Sequence, residues 1–368
     1  MHTHEHLVGG HYACWMEEKG LHNWQDYFQK WPVDLDDKYR APQYTRGAMA
    51  WDIPEPFHHT HWVGERAAAN IETAVQAGKP FFLWASFFDP HPPYAVPEPW
   101  ASMYDMEEME PGSYTEDEFD DMPPQYARTR EAAPDYTMYR EEGGQSLHGF
   151  HSHLHSEEEL RRSLACYYGM TSLIDHEVGR FLDTLDRLGI ADNTLVLYST
   201  DHGHYLGQHG LIAKGAFHYE DLLRIPMIVR YPGVVPAGIR SNALQCQVDW
   251  PVTFLSATGI PVPGLMQGVN QLSAWSGDVA QARDWVLIEN RHNPTTVHMR
   301  TLVTDRFKLT VYRDAPYGEL FDLQEDPGEL HNRWDDPAYA QTKSDLLLQF
   351  VQAEIQREPT RMPRIAGA

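Results

Sequence analysis

The order of apolar patterns in these 368 residues predicts an α/β fold: a parallel-sheet core first, then an antiparallel sheet with a covering helix. The core rests on continuous apolar runs at 81–88, 194–200 and 225–231, which alternate with helix-period segments as βαβ units do. Such runs suit strands buried on both faces. The second part rests on four short runs, 285–289, 297–304, 307–313 and 318–323, followed by an amphipathic stretch at 337–357. The division falls near residue 260, giving a core over 1–260 and a smaller α+β subdomain over 261–368.

Taken in order, residues 9–50 are rich in aromatics and histidine with little periodicity, and read as irregular loop. Residues 61–77 read as a helix that Gly78 and Pro80 end. Residues 90–149 are acidic and rich in proline, glycine and methionine, the composition of a substrate-side excursion or a disordered stretch. Ser156 and Glu159 form a capping box. They open a helix whose apolar positions include Leu160, Leu164, Tyr167, Ile174 and Leu185, and Gly189 suits its C-cap. Residues 248–258 read as a helix closed by Gly259 and Pro261. Asp305 and Arg306 read as a tight turn between two strands.

Composition narrows the function. Hydrophobic residues make up 42% of the chain, enough for a sizeable core. The net charge of −24 argues against nucleic acid and anionic membranes as partners, since both call for basic surface. An anionic substrate then needs local positive charge. Cys14, Cys166 and Cys246 are too few and too scattered for a disulfide framework. No apolar run reaches membrane-spanning length. Met1 leads straight into a histidine-rich stretch without a signal-peptide pattern, so a cytoplasmic place is expected if Met1 is the true start.

The chemistry concentrates in YSTDHGHYLGQHGLIAKGAFHYEDLLRIPMIVRYPG, residues 198–233. Asp201 and His202 follow an apolar run, at the strand end where α/β folds place their chemistry. A carboxylate and an imidazole can hold a divalent metal. Lys214, thirteen positions on, can hold the oxygens of an anionic ester. The same residues also suit a glycine-rich loop with Asp201 as a helix cap.

This segment resembles the C-terminal signature of the sulfatases, in the alkaline-phosphatase-like superfamily. PFFLWASFFDPHPPY, residues 80–94, is similar to the family's strand and histidine loop, and YGELFDLQEDPGELHN, residues 317–332, to its C-terminal hairpin. The resemblance implies an alkaline-phosphatase-like parallel-sheet core sandwiched by helices. It implies hydrolysis of an organic sulfate ester, of a small molecule or a carbohydrate. It implies a divalent metal, calcium first, with Asp201 and His202 as ligands. Lys214 resembles the lysine that holds sulfate oxygens. His91 resembles the histidine that contacts the sulfate and its leaving-group oxygen, while Asp89 organises that loop. His218 lies close to Lys214 in sequence and could line the pocket.

Sulfatases carry their nucleophile, a formylglycine made from Cys or Ser, in a Cys-or-Ser-x-Pro-or-Ala-x-Arg motif. None of Cys14, Cys166 and Cys246 has that context, and no serine or threonine has it either. The family's N-terminal acidic metal ligands are missing too. The family's Gly-Lys-x-His element is missing as well, and the opening HTHEHLVGGHYACWMEEKG resembles the stretch just after that element. The chain therefore reads as a sulfatase without its N-terminal portion, a fragment or an inactive form, with an exposed or absent sheet edge where that portion would pair. A phosphonate or phosphate ester hydrolase of the same superfamily is the alternative, because the retained motif does not separate sulfur from phosphorus. A non-catalytic sulfatase-like binding protein is the reading from another class. A homo-oligomer is compatible with all of these. His148, His151, His153 and His155, and His2, His4 and His6, read as loop histidines; Trp24, Trp31, Trp51 and Trp62 read as packing residues.

Overall fold

The structure is a computed structural model that describes residues 10–29, 47–131, 155–292 and 297–357. The chain divides into two compact units. The first comprises Met1–Tyr114, His148–Thr194 and Tyr205–Ala213, and the second Thr115–Leu147, Leu195–His204 and Lys214–Ala368.

In the first unit, helix α1 (His11–Glu18) and a short helix over Trp24–Gln29 occupy a stretch expected to be irregular. The reason lies in spacing. Tyr12, Trp15 and Met16 fall one helical turn apart and are all buried, with Trp51, Ile53 and Trp62, in one aromatic cluster. The packing role expected of Trp51 and Trp62 is what the structure shows. Trp31 and His2, His4, His6, His148, His151 and His153 lie outside the described residues.

Helix α2 (His59–Gln76) begins two residues before the expected start, because His58 caps it: the His58 ring accepts from the Thr60 N–H. It packs against helix α3 (Glu157–Arg187). The capping box forms as the sequence implies, with Ser156 Oγ accepting from Glu159 N–H and Glu159 reaching back to Ser156 N–H at 2.8 Å. The two helices meet closely. A Cβ on Gly64 would fall 1.7 Å from the Glu177 carboxylate, which is fully buried and holds His61 at 3.1 Å and Arg180 at 2.9 Å. Leu164, Ala165, Cys166, Met170 and Leu173 of α3 then bury against Tyr94 and Val96. Tyr94 precedes, and Val96 belongs to, the only parallel pair among the described residues, β1 (Met49–Ala50) with β2 (Ala95–Val96).

The run at 81–88, expected as a central buried strand, joins no ladder among the described residues. Phe82 and Trp84 are 74% and 75% exposed, and Phe81 and Phe88 are also open. A strand is stable only when its backbone groups are paired. No described neighbour supplies that pairing here.

In the second unit, β3 (Val196–Ser199) and β4 (Met227–Arg230) pair antiparallel. Strand–helix alternation had implied parallel pairing. The chain between them loops back without a crossover helix, so the two runs meet head to tail. After helix α4 (Asp249–Ala257) come β5 (Val286–His292), β6 (Val297–Val303), β7 (Phe307–Tyr312) and β8 (Gly318–Asp322). They form one antiparallel sheet in the order β8-β7-β6-β5. Asp305 and Arg306 make the turn between β6 and β7, with Thr304 N–H bonded to Phe307 O. Helix α5 (Ala340–Arg357) covers the sheet, placing Leu346, Phe350 and Ala353 on Leu302, Leu309 and Leu320. Cys14, Cys166 and Cys246 are free thiols. No described helix is long and apolar enough to cross a membrane.

Candidate functional site

The second unit brings Asp201, His202 and Lys214 together. β3 ends at Ser199, and the turn that follows is pinned by backbone contacts. Gly203 N–H donates to Leu222 O at 2.7 Å. A Cβ at Gly203 would sit 1.9 Å from Asp221 O, so only glycine allows the approach. Gln247 Nε2 donates to the Thr200 and Asp201 carbonyls at 3.0 and 2.6 Å.

The side chains are then set by a short chain of bonds. His202 Nδ1 lies 2.7 Å from Gly203 O. A carbonyl can only accept, so Nδ1 carries the proton and Nε2 the lone pair. That lone pair faces Lys214 Nζ at 3.1 Å, and Asp201 Oδ2 lies 3.3 Å from the same nitrogen. Asp201 Oδ1 accepts from the His202 N–H at 3.0 Å, and the carboxylate is 79% exposed. Burial pushes the Lys214 ammonium below its usual range, and the Asp201 charge opposes that shift. The group is thus a half-desolvated cation beside a lone pair and an open carboxylate. An ammonium of this kind can donate to an oxyanion, while the open carboxylate beside it favours a cation.

Whether the pair fits the metal that the resemblance implies is a question of donors. Asp201 and His202 offer one carboxylate and one imidazole nitrogen. A hard cation such as calcium takes six or more oxygens. These two residues converge on one point, but they do not make such a shell by themselves.

His218 and His91 are each described within their own unit. His218 is 3% exposed, and its Nδ1 lies 2.6 Å from Thr301 Oγ1. Burial, with the Lys308 charge behind it, pushes its pKa down to about 3, so the ring is neutral. His91 belongs to the first unit. Its Nδ1 donates to Pro92 O at 2.8 Å and its ring packs on Phe88.

Sequence reasoning passed over a group beneath the His91 loop. Asp89 is buried, and the hydroxyl of Thr60 donates to its Oδ2. His59 Nε2 is 3.4 Å from Asp89 Oδ1 and His58 Nδ1 is 3.7 Å from Oδ2. Ligand atoms of all three residues lie within 4.8 Å of one another. Burial drives the Asp89 carboxyl up to about 8 and the His59 imidazole down to about 3; His58 is lowered for the same reason. The only sequence signal was the pair His58-His59 before a helix, and nothing local linked it to an aspartate that far along the chain.

Comparison with known proteins shows the family. Residues 3–260 match the sulfatase family, and residues 207–356 match the family described as N-sulphoglucosamine sulphohydrolase, C-terminal. The chain belongs to the sulfatase family. It is 32% identical over 188 residues to an N-acetylglucosamine-6-O-sulfatase of Bacteroides thetaiotaomicron, covering 49% of this chain and 34% of that one. It is 27% identical over 328 residues to an arylsulfatase of Clostridium perfringens, covering 87% of this chain and 61% of that one. The fold resembles the phosphonate monoester hydrolase of Silicibacter pomeroyi, with a TM-score of 0.74 at 22% identity over 94% of this chain and 71% of that one. That likeness is one of fold alone. The chain spans less than two thirds of the length of these two curated relatives.

Proposed function

We propose that this chain carries a sulfate-ester-binding part of a sulfatase, with a sulfated amino sugar as the substrate class. The observation that carries the reading is Lys214 Nζ held 3.1 Å from His202 Nε2, beside Asp201. A compact ammonium, partly stripped of water, binds an ester's sulfuryl oxygens more strongly than a solvated one does. The substrate class comes from the relative that acts as an N-acetylglucosamine-6-O-sulfatase. The resemblance, taken by itself, gives His91 of the first unit the role of general acid toward the departing alcohol. His218, sealed against Thr301, is structural. Calcium at Asp201 and His202 is inferred from the resemblance, and two donors alone would hold it weakly.

The test is calorimetric titration with N-acetylglucosamine-6-sulfate. The expected result is saturable binding that weakens about 10- to 100-fold in Lys214→Ala, the loss of one charge-assisted hydrogen bond. Binding of equal strength in the variant, or tighter binding of the unsulfated sugar, overturns the assignment.

A further inference from the structure

We propose that His58, His59 and Asp89 form a buried site for a borderline divalent ion, zinc above all, which ties the start of α2 to the loop that carries His91. Two imidazoles and a carboxylate are the donors that such ions select, whereas calcium and magnesium prefer all-oxygen shells.

The spacing points the same way. Ligands bonded at 2.0–2.1 Å with tetrahedral angles stand about 3.3 Å apart. One donor atom from each residue lies within 4.8 Å of the others, and the nearest contacts are His59 Nε2 to Asp89 Oδ1 at 3.4 Å and His58 Nδ1 to Asp89 Oδ2 at 3.7 Å. Both exceed the ordinary N–H···O range of 2.7–3.2 Å, so hydrogen bonding alone satisfies the cluster poorly. The His58 ring is wholly buried, and its Nε2 makes no hydrogen bond of ordinary geometry. Its Nδ1, which faces Asp89, takes only a long 3.3 Å bond from the Thr60 N–H. Buried polar atoms left in that state are rare without an ion, a water or a functional reason. Asp89 is oriented by the Thr60 hydroxyl, the kind of outer hydrogen bond that fixes a ligating carboxylate. All three side chains are at least nine-tenths buried, which suits a structural ion rather than one that meets substrate. Asp89 stands two residues before His91. An ion here would therefore hold the histidine loop against the first turn of α2.

The full chain would be loaded with zinc, freed of excess by gel filtration and analysed by mass spectrometry, with cobalt loading read by visible absorption. The expected result is about one equivalent of zinc per chain and visible cobalt bands of a four-coordinate site. Both should disappear in Asp89→Asn and His59→Gln, with circular dichroism matching that of the metal-free parent. Both should persist in Asp201→Asn, which separates this site from the sulfate-binding reading. They should also persist when His148, His151 and His153 are all changed to glutamine. A folded parent that retains no zinc, zinc retained in Asp89→Asn, or zinc lost with the three glutamines overturns the proposal.

Discussion

Glu319 shows what burial does to a single carboxylate. It is sealed inside the second unit, where Oε1 takes bonds from Tyr126 at 3.1 Å and from Tyr312, while Oε2 has no partner. Desolvation drives its pKa from 4.5 up to about 7, although the tyrosines and Lys308 pull it down. The folded chain thus holds this proton more tightly than the unfolded chain. The resulting stabilisation is complete below the unfolded value and is lost as pH rises through about 7. Urea unfolding at a series of pH values should show stability falling across that window. Glu319→Gln should flatten the fall and gain on the order of 2 kcal/mol at mildly alkaline pH. An unchanged slope in the variant would remove Glu319 as its origin. Legibility at this scale followed distance along the chain. Asp201, His202 and Lys214 share one short motif, and their convergence was readable. His58 and His59 meet Asp89 only after α2 has run its full length, so no local pattern announced them.

Elements were readable where pattern and packing agree. β5 to β8 and α5 alternate or repeat cleanly, and each lies within a residue or so of expectation, except β5, which runs three residues further, and α5, which starts three residues later. The stretch around Tyr12, Trp15 and Met16 carried a helical spacing that aromatic density disguised. Residues 81–88 are the opposite case, a strand pattern that joins no ladder among the described residues. The two situations predict different responses to truncation. Leu309→Ala, between the sheet and α5, should cost about 2–5 kcal/mol. Phe82→Ser with Trp84→Ser should leave stability nearly unchanged, because both residues are about three-quarters exposed. The pair should instead reduce self-association, measured by sedimentation velocity, since an exposed apolar edge invites pairing. A large stability loss from the serine pair would mean that the rings are packed.

At the scale of the whole molecule, family membership is one finding and activity is a matter for assay. The chain matches the sulfatase family over most of its length yet offers no Cys-or-Ser-x-Pro-or-Ala-x-Arg motif. Covalent catalysis divides one hard step into two easier ones, and it depends on a nucleophile that the motif would supply. Purified chain should therefore turn over a chromogenic aryl sulfate at no more than a trace of a sulfatase's rate. Robust turnover lost in Lys214→Ala would reveal a nucleophile among these residues. The α/β class and the closing antiparallel sheet were legible because local periodicity encodes them. The antiparallel meeting of β3 and β4 was not, since strand direction depends on how the chain returns rather than on its composition.

Trp84 gives the molecule an optical handle. Its indole, 75% exposed, should emit at the red end of the protein's fluorescence and be quenched readily by iodide, whereas Trp51 and Trp62, at 1% and 4%, are shielded. Any polypeptide that settles along residues 80–88 should shift that emission to the blue and protect it from the quencher. The emission spectrum would thus report occupancy of this edge without an assay of activity.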